Sequence, residues 1–173
     1  MDIPNKEELG SLWERYTVRL LADGVVYRDL KEIEGLTRTW ADWCTAWCTV
    51  GARYEALGKK ALRQKSRVSA GEWLWLASLY SHYGQFVFWQ NAAEKNRAQR
   101  RKVELYKLAA PHLVPPARRI EIPFEKTVLP GGGSIPAGER SLEKVVYQRN
   151  QVELPFVVEL KVASYGLLAI AGI

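Results

Sequence analysis

The chain has 173 residues, of which 47% are apolar and 25% charged, with a formal net charge of +6. That length holds one domain, or one domain and part of another, and the apolar share excludes wholesale disorder. The positive balance permits a nucleic-acid partner. The excess cations, however, crowd into "KNRAQRRKVELYK" and "ARR", which read as a solvated helix face, so no nucleic-acid partner is expected.

The opening "MDIPNKEELG" is charged and has no apolar stretch of the signal-peptide kind, so a reducing, cytoplasmic setting is expected. Asn5 and Glu8 make a capping-box-like pair. Leu9, Leu12, Trp13, Tyr16 and Leu20 follow at helical spacing, and "ADG" stops this first helix. "DLKEIEGL" predicts a short helical turn. A long helix then starts at Thr37 or Thr39, with Trp40, Trp43, Cys44, Trp47, Cys48, Gly51 and Tyr54 on one stripe. Gly51 and Gly58 on or beside that stripe leave room for another backbone to come close.

Cys44 and Cys48 stand at i, i+4 on one helix face, where a disulfide is geometrically poor, so they read as free, small hydrophobes. A zinc site drawn from them and His82 lacks a fourth ligand. No metal and no cofactor are expected.

Ser69 and Glu72 form a capping box ahead of "WLWLASLYSHYGQFVFWQ". From Trp73 to Ala93 there is no formally charged side chain, so a helix here needs cover on two sides. The run is long enough to span a bilayer, but Ser78, Ser81, His82 and Gln85 interrupt it and its aromatics do not gather in two belts, so no membrane is expected. Its polar members Tyr80, His82, Tyr83 and Gln85 either line a pocket or satisfy one another in the core. Trp40, Trp43 and Trp47 are likewise either core or the wall of an aromatic pocket.

Asn91 and Glu94 predict the start of the next helix, "EKNRAQRRKVELYKLAA", with Leu105, Tyr106 and Ala109 inward and the arginines outward. Pro111, Pro115 and Pro116 end it. Thereafter "RRIEIPFEKTVL" alternates as a strand does, "PGGGSIPAGE" reads as a turn or flexible loop, and "EKVVYQ", "VELPFVVELKVASY" and "LLAIAGI" are strand-like. The expected fold is mainly α. A domain of antiparallel helices at 1–116 precedes a short, incomplete β segment at 117–173.

The stretches "GLTRTWADWCTAW", "YEALGKKAL", "VSAGEWLWLASLYSHYGQFVFW", "KVELYKLAAPHLVPPARRIEIPFE" and "LPG" together resemble the N-terminal region of an α/β-hydrolase group, that of the 2,6-dihydroxypseudooxynicotine hydrolases and dipeptidyl aminopeptidase-like enzymes. The resemblance covers roughly residues 20 to 131. It implies a helical cap folded over a hydrolase core, with "IEIPFE" and "LPG" at the core's first strand and hairpin. It also implies a small carbonyl-containing substrate, cleaved in full-length relatives at a carbon–carbon, ester or amide bond. His82, Tyr83, Tyr80, Gln85, Trp43 and Trp47 are the candidate substrate-binding residues, and the charge-free helix would be covered partly by the core or the substrate.

Catalytic residues are not among those candidates. The family's nucleophile sits in a G-x-S-x-G elbow, and the nearest stretch, "GGGSIPAG", has Pro136 where the second Gly belongs. The only histidines, His82 and His112, precede it, so no serine–acid–histidine set in the family's order can be assembled. The chain is expected to be inactive alone. Its tail reads as truncated or frame-shifted, the alternative being a divergent cap with a small sheet of its own. Exposed apolar surface predicts a homo-oligomer. Two other functions compete: a helical module that binds a protein or peptide without catalysis, and a nucleic-acid binder built on Arg97, Arg100, Arg101, Lys102, Arg118 and Arg119, for which no accompanying motif is found.

Overall fold

Helix α1, Lys6–Ala22, buries Leu9, Trp13 and Leu20 of the stripe that its spacing predicts, with Leu12 and Tyr16 half-buried. The computed structural model describes residues 6–86, 88, 90–124 and 127–134, so the expected Asn5 cap lies outside the described residues. Gly24, at φ 97°, turns the chain in the left-handed region, and a Cβ there would stand 2.7 Å from the Trp75 ring. Helix α2, Tyr27–Leu36, runs ten residues, longer than the predicted turn, because Leu30 and Ile33 bury a full apolar stripe. Thr39 then opens a 3-10 turn, Trp40–Asp42, in which Asp42 accepts the Thr39 backbone N–H at 2.8 Å and its hydroxyl at 2.9 Å. Helix α3, Trp43–Arg63, continues from that turn.

Two boundaries differ from expectation. Helix α4 is Arg67–Gln85, so Ser69 lies inside it and does not cap it. The reversal is made earlier: Lys65 takes φ 60°, and the Ser66 N–H donates to the Ala61 carbonyl at 3.0 Å, which lets helical geometry resume before Ser69. The charge-free run is also not one helix. It ends as helix at Gln85, and Phe86 is extended at φ −66°, ψ 133°. Asn91 then caps α5, Ala92–Ala109, accepting the N–H groups of Ala93 and Glu94 at 3.1 Å each. A 3-10 turn, Ala110–His112, follows.

Consecutive helices α3, α4 and α5 pack side by side, with α4 in the middle. Leu74 and Ala77 of α4 share a buried cluster with Leu105 and Ala109 of α5. On the other side a Cβ on Gly58 of α3 would lie 2.6 Å from the Leu74 Cγ, and one on Gly51 would lie 3.1 Å from the Tyr80 Cβ. A Cβ at Gly58 would force Leu74 to shift, and one at Gly51 would be a tight fit, so both helices come close where the spacing suggests. Gly71 serves the same purpose on α4, where the His112 carbonyl oxygen stands 2.6 Å from the missing Cβ. The two-sided cover that α4 needs thus comes from α3 and α5, within the helical unit itself. No helix among the described residues is long and apolar enough to cross a membrane.

The compact helical unit runs to Leu113, and a second unit begins at Val114. In the second unit β1, Ala117–Phe124, pairs antiparallel with β2, Thr127–Ser134, in a register that sets Phe124 against Thr127 and Ala117 against Ser134. Pro130–Ser134, expected to be turn or loop, is therefore strand. The glycines there keep the N–H and C=O groups that a ladder uses, and both strands of a two-stranded sheet are edges, where a proline such as Pro130, opposite Glu121, is admitted. The later strand-like runs lie outside the described residues. The described architecture is mainly α, with antiparallel helices followed by a short β segment.

Candidate functional site

The α3 stripe and the second half of α4 meet in an aromatic cluster. Trp13 of α1 stacks on Trp43 with ring centroids 4.9 Å apart, and Trp40 lies 5.0 Å from Trp43. Trp47 then joins Tyr83 at 5.1 Å and Tyr80 at 5.8 Å. Trp47 and Tyr80 are both 0% exposed.

Most polar tips in this cluster are engaged. The Tyr80 hydroxyl donates to the Asp29 Oδ2 at 2.8 Å and accepts the Val26 N–H at 3.2 Å. The Tyr54 hydroxyl donates to the same carboxylate, and the Tyr83 hydroxyl to that of Asp23. Burial, with the neighbouring carboxylate, pushes the Tyr80 and Tyr83 phenols well above their ordinary range, so both stay protonated donors. The Trp43 indole N–H donates to the Tyr83 carbonyl at 2.8 Å. The Trp47 indole N–H has no hydrogen-bond partner among the described residues.

At the edge of the cluster the surface is only half closed. His82, Gln85 and Phe86, at the end of α4, are each half-buried, as is Cys48 of α3. The Gln85 Nε2 lies 3.4 Å from the His82 Nδ1, and the Phe86 ring 5.7 Å from the imidazole. Burial, then the positive charge of Lys102, holds the His82 pKa down at about 4, so the ring is neutral near pH 7. The buried Cys44 thiol donates toward Cys48, which raises the Cys44 pKa and lowers that of Cys48. Among the described residues no group of three or more metal-ligating side chains forms.

The six sequence candidates thus fall into two layers. Trp43, Trp47, Tyr80 and Tyr83 are buried and mutually packed, while His82 and Gln85 stand at the rim. Sequence reasoning missed Asp23 and Asp29, which hold the tyrosines. It also set Lys102 among outward cations, whereas the structure buries it to 3% exposure. The signal was present: Ala98, Lys102, Leu105 and Ala109, all buried, follow at helical spacing. Arg101, expected outward, is half-buried, its Nε donating to Glu55 at 2.9 Å and its Nη1 to Glu104 at 3.0 Å.

The chain is 37% identical over 127 residues to 2,6-dihydropseudooxynicotine hydrolase of Paenarthrobacter nicotinovorans, a match covering 69% of this chain and 32% of that protein. The crystal structure of the 2,6-dihydroxy-pseudo-oxynicotine hydrolase matches with a TM-score of 0.59 at 35% identity, covering 70% of this chain and 34% of the other. The chain spans about a third of the length of these relatives. No protein-family model matches it. Over the matched region the chain is similar to an α/β-hydrolase of the 2,6-dihydroxypseudooxynicotine hydrolase group.

Proposed function

We propose that this chain supplies the helical cap of an α/β-hydrolase-like protein acting on a small carbonyl-containing molecule. The similarity at 37% identity over 127 residues to a hydrolase carries this reading. In it, residues 1–116 are the cap and 117–173 begin or replace the catalytic body. The buried layer of Trp43, Trp47, Tyr80 and Tyr83 fixes the rim, and His82 and Gln85 meet the substrate there. The cap contributes by orienting the substrate and excluding water, while the nucleophile and its base belong to residues that this chain does not carry. The setting is the reducing cytoplasm, where Cys44 and Cys48 stay thiols.

The test has two arms. The purified 173-residue chain is incubated with an activated ester and a fluorophosphonate probe, and neither turnover nor labelling is expected. The matched region is then exchanged into the Paenarthrobacter enzyme, and the chimera is expected to fold, label at its serine and turn over. Stoichiometric labelling of the chain alone, or a folded chimera without turnover, overturns the reading.

A second reading, a helical protein- or peptide-binding module without catalysis, draws support from the closed packing of α3, α4 and α5. It predicts a monomeric chain. The cap reading predicts self-association through exposed Val18, Leu21, Val26 and Tyr27, and sedimentation across a concentration series separates the two.

A further inference from the structure

Lys102 is 3% exposed, yet its ammonium makes no ion pair among the described residues. Its more exposed neighbours on α5 are paired: Arg97 with Glu94 at 3.9 Å, and Arg101 with Glu104 at 3.0 Å. The stem is buried but the ammonium is not sealed off: among the described residues the only fully buried side-chain nitrogen or oxygen without a partner is the Trp47 indole nitrogen, so the Lys102 ammonium, which has no partner, keeps contact with solvent.

The surroundings of Lys102 are equally specific. The Ser78 hydroxyl donates to the Lys102 carbonyl at 2.9 Å, which fixes this turn of α5 against α4. The two helices run antiparallel, and a helical side chain leans toward its own N-terminus, so the lysine stem runs toward the last turn of α4. His82 and Gln85 are there. With the Gln85 amide N–H donating to Nδ1 at 3.4 Å, the imidazole proton sits on Nε2, a second donor. The charge of Lys102 reaches His82, whose pKa it helps to depress. Burial lowers the pKa of the lysine itself, the response expected of an ammonium with no acid beside it. The Phe86 ring, 5.7 Å from the imidazole, gives the rim an aromatic wall.

We propose that Lys102 and His82 form a binding site for an anionic oxygen on an aromatic molecule, an aryl carboxylate, at the seam between α4 and α5. The proposal rests on the cap reading in placing a substrate at this rim, but the site is built wholly from helices of this chain. It names the group on the substrate that the cap grips: a negatively charged oxygen, held by one charged and one neutral donor.

The experiment titrates sodium benzoate into the isotope-labelled chain at constant ionic strength, followed by amide chemical shifts. Benzamide, the neutral isostere, and acetate, the anion without a ring, are the comparison arms. Saturable shifts are expected at Ser78, Ser81, His82, Gln85 and Lys102 with benzoate, weaker ones with acetate and none with benzamide. Lys102→Met should weaken benzoate binding at least tenfold and, because no ion pair is lost with the lysine, leave the Tm unchanged or higher. Lys102→Gln provides the same comparison should the methionine variant misfold.

Equal binding of benzamide and benzoate overturns the proposal. So does benzoate binding unchanged in either variant, shifts scattered over surface lysines, or no saturation by about 50 mM, where even a millimolar site would be filled. A fall in Tm on Lys102→Met overturns it as well, since the lysine would then be structural. A chimera that turns over while its cap ignores benzoate sinks this inference and spares the cap reading. Benzoate binding beside an inactive chimera does the reverse.

Discussion

The Tyr80 hydroxyl reaches the Asp29 carboxylate at 2.8 Å across 51 residues of sequence, and in the same place it accepts the Val26 N–H. One phenol thereby ties the end of the α1–α2 connection and the first turn of α2 to the middle of α4. Tyr80→Phe keeps the ring and removes both bonds, leaving the Val26 N–H without its acceptor and the Asp29 carboxylate with Tyr54 and Arg53 as its remaining partners. The expected cost is about 1–3 kcal/mol in urea unfolding. Asp29→Ala orphans the Tyr54 and Tyr80 hydroxyls together and should cost more.

Glycines at close approaches and at open positions should respond with opposite sign. A Cβ on Gly58 meets Leu74 at its Cγ, 2.6 Å away, and at its backbone nitrogen, 3.1 Å away, and the backbone cannot yield cheaply. Gly58→Ala should destabilise by about 1–3 kcal/mol through overpacking. Gly10, inside α1, has nothing within 4 Å, so Gly10→Ala should stabilise by about 0.5–1 kcal/mol through backbone entropy. Thermal melts of the two single variants check the contrast.

Trp43 and Trp47 share a cluster but differ at their indole nitrogens. The Tyr83 carbonyl, in the last turn of α4, depends on the Trp43 N–H at 2.8 Å, whereas the Trp47 N–H serves no described partner. Both substitutions to Phe lose ring volume, but Trp43→Phe also strands a carbonyl. It should be the costlier by about 1 kcal/mol, measured by denaturant midpoint.

His82 gives the fold a pH dependence of known sign. Its folded pKa, about 4, lies below its ordinary value of 6.5, so between those values the unfolded chain binds the extra proton. Stability is therefore full above pH 6.5 and falls as pH drops toward 4. The half-buried ring is partly screened by solvent, so the loss should be on the order of 1 kcal/mol. His82→Gln should flatten this part of the pH–Tm curve while leaving the more acidic limb in place.

Local signals were readable. The α1 stripe, the Asn91 cap and the close approaches at Gly51 and Gly58 follow from spacing and residue type. The start of α4 was not readable, because a left-handed Lys65 has no signature and the Ser69–Glu72 pattern is a plausible cap elsewhere. The Pro130–Ser134 strand was hidden too, since glycines join a ladder only through a partner that the local text does not name. In the candidate site the aromatic residues announced themselves. Their acids did not: Asp29 lies 25 and 51 residues from Tyr54 and Tyr80, and Asp23 lies 60 from Tyr83, and pairing at that range belongs to the tertiary fold.

The side-by-side arrangement of α3, α4 and α5 also bears on how the chain acquires its shape. Each of these helices touches mainly its neighbour in sequence, so their assembly closes only short loops and should be rapid. Helix α1 is different: it joins through Trp13 on Trp43, and Asp23 just beyond its end holds Tyr83, 60 residues away, so its contacts close longer stretches of chain. Amide hydrogen exchange should therefore be fastest in α1 and slowest along α4, making the first helix the last to lock and the first to let go.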